Sequence, residues 1–310
     1  MARATARGFR TVWAAALLAT LLAGAPPVRA QQNTAEEAAR RQAALATLPH
    51  DAARRVFGLT ETPSPGAGQP IGSYTRGCLA GAVEKPADGP NWQVMRPSRN
   101  RAWGHPELIA FLQRLAQAGE TVGWRGLLIG DLSQPRGGPM LTGHASHQLG
   151  IEADIWLTPM PDRRLTPVER NEMPATSVVA QDGLDIDPAV WRPEHRRLLE
   201  LAARDPAVDR IFVNPAIKQA LCRETAGDRN WLRRIRPWYG HSFHFHVRLA
   251  CPKGASQCQN QAPLPAGDGC AELAWWFTPE ARTPRPTQPA RPLRVSDLPP
   301  ACAALVTPSH

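Results

Sequence analysis

Lysine is scarce in this 310-residue chain: Lys85, Lys218 and Lys253 stand among 36 basic side chains, so arginine supplies most of the positive charge. No Lys/Arg stripe with interleaved aromatics occurs, which argues against a nucleic-acid partner. The missing C-x-x-C argues against a zinc knuckle and against a thioredoxin-type redox pair. Without H-E-x-x-H the usual helical zincin arrangement is excluded. Without S-x-x-K the serine chemistry of penicillin-binding proteins has no nucleophile. Neither G-x-S-x-G nor a phosphate-binding glycine loop is present. The uncharged run Val12–Ala25 has 14 residues, short of the roughly 20 that span a bilayer.

That run has another reading. Arg3, Arg7 and Arg10 precede it and Val28-Arg29-Ala30 follows it, the layout of a secretory signal peptide over residues 1–30. No cysteine lies near the expected cleavage point, which argues against a lipid anchor. Removing the leader takes away four arginines and lowers the formal net charge from +9 to +5. Such a mildly basic surface suits an acidic substrate. All six cysteines (78, 222, 251, 258, 270 and 302) belong to the remaining chain, and an even number in an exported protein favours disulfides. Six cysteines allow about 15 pairings, and spacing alone does not choose among them.

Along the chain, Ala35–Leu48 reads as a helix and residues 62–72 as a Pro/Gly linker. Apolar residues at helical spacing predict a helix over His105–Gln117. Short strands are expected at Gly126–Leu132, Ile151–Leu157, Arg210–Val213 and Phe243–Leu249, and helices at Glu194–Ala203 and Pro215–Cys222. Residues 159–189 read as loops. A proline-rich tail runs over 278–310, and Cys302 suggests that it is tied back to the body. No βαβ rhythm emerges, so the expected class is α+β, a mostly antiparallel sheet flanked by helices and long loops.

Two segments concentrate chemistry. GHASHQLGIEADIWL (143–157) carries His144, His147 and Asp154, and RPWYGHSFHFHVRL (236–249) carries His241, His244 and His246. Together they hold five of the nine histidines. Strand alternation puts His244, His246 and Arg248 on one face and Phe243, Phe245, Val247 and Leu249 on the other. Glu152 and Asp154 share a face of their own strand. If the two strands are neighbours, a carboxylate and two histidines converge, and His147 can join from the preceding loop. Two imidazoles and one carboxylate are a standard catalytic zinc set, with a fourth position left for water. Further histidines would orient ligands or move protons. Glu152 is weighed as a supporting acid but reads better as a solvated strand residue. Trp156 and Trp238 are candidates for a groove wall. His50, His105, His195 and His310 read as surface, cap or tail residues.

The pattern His147-x6-Asp154 followed by His244-x-His246 resembles the LAS metallopeptidases. The stretches GCLAGA (77–82), GHPELIAFLQRLA (104–116), RIFVNPAIKQALC (210–222) and the two histidine segments are similar to the penicillin-insensitive murein endopeptidase family. The likeness runs from about Ser73 to Phe277 and reaches the C-terminal cysteine. It implies a LAS-like fold in a single metallopeptidase domain over 31–277, one zinc ion per chain, and a periplasmic enzyme. The implied substrate is the D-alanyl–meso-diaminopimelyl cross-link of peptidoglycan. It further implies His147, Asp154 and His246 as zinc ligands, His244 as general base or transition-state stabiliser, and His144 and His241 lining the site. One of those two would stabilise the oxyanion or protonate the leaving amine. The implied disulfides are Cys78–Cys302, Cys222–Cys270 and Cys251–Cys258. Two alternatives stand beside it: a zinc D,D-carboxypeptidase on free stem peptides, and a non-catalytic secreted metal-binding module. The oligomeric state is not encoded, a homodimer being one option.

Overall fold

The computed structural model describes Met1 and residues 28–283 and 291–306, with the backbone alone for 28–33. Most of the expected leader and His310 therefore lie outside the described residues. Eight α-helices are present among the described residues: α1 (Val28–Thr47), α2 (Ala53–Gly58), α3 (Pro106–Glu120), α4 (Pro167–Glu172), α5 (Pro193–Arg204), α6 (Pro215–Glu224), α7 (Pro279–Arg282) and α8 (Pro300–Val306). The strands are β1 (Gln69–Ser73), β2 (Arg76–Ala80), β3 (Val83–Glu84), β4 (Asp88–Gly89), β5 (Trp92–Val94), β6 (Trp103–Gly104), β7 (Leu127–Ile129), β8 (Glu152–Trp156), β9 (Val208–Val213), β10 (Ile235–Pro237) and β11 (His244–Leu249).

Seven strands form the central sheet in the order β10-β9-β11-β8-β7-β5-β4. The β10/β9 and β5/β7 pairs are parallel and the others antiparallel. The molecule is thus an α+β protein with a mostly antiparallel sheet, as the sequence predicts. β11 lies between β9 and β8, so the two histidine segments are neighbours, with His246 directly opposite Asp154 and Arg248 opposite Glu152.

One face of the sheet is closed by helices. α3 buries Leu108, Phe111, Leu112 and Leu115, the 3–4 spacing of an amphipathic stripe. Its first turn is capped by His105, whose ring accepts from Glu107 N at 3.1 Å. α5 adds Leu198, Leu199 and Ala202. Phe245 and Val247 of β11 are fully buried in the same core, which is why their neighbours in sequence, His244 and His246, turn the other way.

Two expectations need correction. The linker ends earlier than predicted, because Gln69–Ser73 pairs with Arg76–Ala80 as a hairpin. Within the expected loops of 159–189, Thr166 and Glu169 form a reciprocal capping box that starts α4. The tail folds back onto a small second core of Ala53, Phe57, Ile71, Cys78, Leu298 and Cys302. Disulfides join Cys78–Cys302, Cys222–Cys270 and Cys251–Cys258, the pairs implied by the resemblance.

Candidate metal centre

The sheet and two loops bring His144, His147, Asp154, His241, His244 and His246 together. Neighbouring rings lie close: His144 and His147 have centroids 4.3 Å apart, His147 and His246 4.4 Å, and His241 and His244 4.9 Å. Two of the loop histidines hold unusual backbone. His147 has φ 66° and His241 φ 46°, the left-handed region that costs a non-glycine residue of order 1 kcal/mol or more. At His147 the conformation is held by two short bonds. Its backbone N–H donates to Glu152 Oε2 at 2.6 Å and its Nδ1–H to the Leu132 carbonyl at 2.6 Å.

Those partners fix the ring tautomers. A carbonyl only accepts, so His147 carries its proton on Nδ1 and presents a lone pair at Nε2. His246 Nε2 lies 2.8 Å from Glu152 Oε1. Burial pushes the Glu152 carboxyl up, but Arg248 and His246 outweigh it and hold the pKa well below the usual range. The carboxylate therefore accepts, and His246 presents its lone pair at Nδ1. Burial and the neighbouring His147 push the His246 pKa down to about 3, so the ring stays neutral. The two lone pairs then face each other at 3.2 Å. Asp154 Oδ1 completes a triangle at 3.4 Å from His147 Nε2 and 3.5 Å from His246 Nδ1. This oxygen is buried and accepts no hydrogen bond. Burial again opposes ionisation of Asp154, but the surrounding His244, His144 and His147 hold it well below its ordinary pKa. Two ring nitrogens and a carboxylate oxygen thus converge within 3.5 Å of one another, a crowding that a cation between them relieves. The residues present fit a metal ion.

Other histidines ring this triangle. His144 Nε2 donates to Asp131 Oδ2 at 3.0 Å and lies 3.5 Å from Asp154 Oδ2. Its ligand atom falls within 4.8 Å of those of His147 and Asp154. Burial would lower the His144 pKa, yet Asp154 and Asp131 outweigh it and raise it. His244 Nε2 is 3.6 Å from Asp154 Oδ1, and its Nδ1 is buried without a hydrogen-bond partner. Burial pushes its pKa down to about 4. His241 donates Nδ1–H to the Tyr239 carbonyl at 3.0 Å.

Glu152 is not the solvated residue that the sequence suggested. It is fully buried and binds His246, Arg248 and the His147 backbone. Sequence reasoning missed Asp131, held by Arg99 Nη1 at 3.0 Å and Arg101 Nη1 at 2.9 Å. It also missed Glu37 of α1, which accepts from the Thr142 hydroxyl at 2.6 Å. A carboxylate just past the apolar β7 was the one local signal for Asp131. His105 and His195 cap helices, and His50 is exposed.

A cleft of about 520 Å³ opens beside the centre, lined by His144, His241, His246 and Phe212 with Trp238 and Trp276. Trp238 thus forms a wall. Trp156 is buried instead, packing on Phe243 and under the Arg96 guanidinium.

Comparison with known proteins decides the relationship. The model of the family described as penicillin-insensitive murein endopeptidase matches residues 70–307. The chain belongs to this family. A relative of that name from Haemophilus influenzae is 51% identical over 215 residues, 69% of this chain and 75% of its own. Relatives of the same name from Klebsiella pneumoniae subsp. pneumoniae and Escherichia coli are 46% and 45% identical, covering 79% of this chain and 88% of theirs. The family match begins at residue 70, so α1 and α2 lie outside it.

Proposed function

We propose that the chain is a zinc-dependent murein endopeptidase hydrolysing D-alanyl–meso-diaminopimelyl cross-links in the periplasm, after export by residues 1–30. The observation that carries this reading is the close triangle of His147 Nε2, His246 Nδ1 and Asp154 Oδ1 beside an open cleft, in a member of this family. Its edges of 3.2, 3.4 and 3.5 Å match the roughly 3.3–3.4 Å that tetrahedral zinc bonds of about 2.0–2.1 Å imply. The preferred ligands are therefore His147, Asp154 and His246. His144 is near, but its Nε2 proton is engaged by Asp131.

Bound zinc supplies a polarised substrate carbonyl and a water whose pKa falls to about 7. The protein supplies the proton chemistry. His244, neutral through burial and with Nε2 3.6 Å from Asp154 Oδ1, accepts the proton of the attacking water. His144, its pKa raised by Asp154 and Asp131 against the effect of burial, stabilises the charge that develops on the carbonyl oxygen. No serine nucleophile takes part, so no acyl-enzyme forms and β-lactams have nothing to trap. Among the described residues no helix is long and apolar enough to cross a membrane.

The test is a pair of substitutions read on zinc stoichiometry and turnover together. His246→Ala is expected to lose both. His244→Ala is expected to keep one zinc per chain while turnover falls at least ~100-fold, within the range for general-base loss. Loss of zinc in His244→Ala would show that the roles are misassigned.

A further inference from the structure

The sheet register extends the site beyond the histidines. Asp154 stands opposite His246, His246 opposite Phe212, and Phe212 opposite Arg236. One row thus crosses four strands on a single face, and Arg236 sits two strands, about 10 Å of backbone, from His246. Arg236, Phe212 and His246 all line the cleft.

Arg236 differs from the other two guanidiniums there. Arg248 is bound to Glu152 at 2.7 Å and to Gln261. Arg210 is bound to Asp209 at 2.6 Å and to the Ala262 carbonyl at 2.9 Å. Among the described residues Arg236 makes no side-chain hydrogen bond; its one carboxylate partner, Glu272, is 3.9 Å away and 62% exposed, and the buried Lys218 ammonium is a second cation nearby. Yet the Arg236 side chain is only 22% exposed. A guanidinium has five donors in a planar fork that matches a carboxylate. A largely buried fork with its donors unused, facing a cleft, is built for an anion that comes with the substrate.

We propose that Arg236 is a substrate-binding residue that takes the free carboxylate on the diaminopimelyl carbon whose amine is released. This rests on the endopeptidase reading above. In that substrate the carboxylate is attached to the same carbon as the scissile nitrogen, so it enters the cleft with the reacting bond. Phe212 is the residue between Arg236 and His246 in this row, and the fork sits at the outer side of the cleft, its Nη1 beside Gly269 and its Nη2 3.9 Å from Glu272. The fork then sets which side of the cross-link faces the leaving-group end of the cleft, and a neutral group at that position is discriminated against.

The experiment uses the zinc-loaded mature chain and two cross-linked peptide dimers, one with this carboxylate free and one with it amidated, with kcat/KM followed by chromatography and mass spectrometry. Wild type is expected to prefer the free acid by ~10–100-fold, the worth of a charge-assisted bond. Arg236→Gln is expected to cleave the free acid as slowly as wild type cleaves the amide, and to distinguish the two no longer. Arg236→Lys should retain part of the preference. Zinc content and melting temperature establish that the variants are folded, and the wild-type comparison stands without them. Equal kcat/KM for both dimers in wild type, or full discrimination in Arg236→Gln, overturns the assignment while leaving the endopeptidase reading intact. Cleavage of neither dimer by wild type overturns that reading and the assignment with it.

Discussion

Glu152→Gln changes one atom type at the support of the metal centre. Glu152 Oε1 accepts from His246 Nε2 at 2.8 Å and Arg248 Nε at 2.7 Å, while Oε2 accepts from the His147 backbone at 2.6 Å. A glutamine has one acceptor oxygen, so its amide must face a donor on one side. If the oxygen keeps His246 and Arg248, the amide meets the His147 N–H and that bond is lost. The variant also leaves the buried Arg248 without its counter-charge. Losing a partner of a buried ion pair costs about 3–5 kcal/mol, and removing the group that orients a metal-bound histidine typically weakens metal binding ~10–100-fold. The expected result is a zinc Kd raised ~10–100-fold, by competition with a chromophoric chelator, and a stability loss of about 3–5 kcal/mol in denaturant. Glu152→Ala should be worse on both counts. A zinc Kd within about twofold of wild type in Glu152→Gln would refute the claim that this carboxylate sets the His246 lone pair.

Other consequences follow from features away from the centre. The Cys78–Cys302 bond closes a separation of 224 residues and Cys251–Cys258 one of 7. The loop-entropy relation gives about 5 and about 2.5 kcal/mol respectively, so the paired Cys→Ser variants should lower stability in that order in denaturant titrations; equal losses would contradict the order. Lys85 is 1% exposed over the Trp92 ring, its Nζ without a hydrogen-bond partner, and burial pushes its pKa down to about 8. Between that value and the unfolded pKa near 10.4 the unfolded chain binds more protons, so stability from this group rises as pH increases through that window. Against Lys85→Met, wild type should gain about 2 kcal/mol from pH 8 to 10; parallel curves would contradict it. Glu37→Ala removes the bond to Thr142 and the ionic contacts at 3.6 Å to Arg99 and 3.9 Å to Arg101. Since those arginines hold Asp131, a fall in kcat with unchanged zinc content is expected, and unchanged kcat would show α1 to be irrelevant to His144.

The histidine face was legible because strand alternation is local: Phe245 and Val247 must go into the core, so His244 and His246 cannot. The adjacency of β8 and β11 was a condition the sequence could state but not decide. Glu152 was misjudged for the same reason. A polar residue on a half-buried strand usually meets water, and only the register with Arg248 and His246 shows that this one does not. Asp131 depends on two arginines 30 and 32 residues away, and Glu37 on a hydroxyl 105 residues away. No local pattern encodes such meetings. The Arg236 row is less visible still, because it needs the parallel pairing of β10 with β9 as well as the strand order. The capping box at Thr166 and Glu169, by contrast, was present in the sequence as a T-x-x-E signature and was passed over among prolines.

The central claim is tested most directly by digesting purified cross-linked murein with the chain from Gln31 and reading the muropeptides by mass spectrometry, with and without a zinc chelator and with and without penicillin. Conversion of cross-linked dimers to monomers with the masses of D-alanyl–diaminopimelyl cleavage, abolished by chelator and untouched by penicillin, is the predicted result. Intact dimers in the presence of stoichiometric zinc would contradict it.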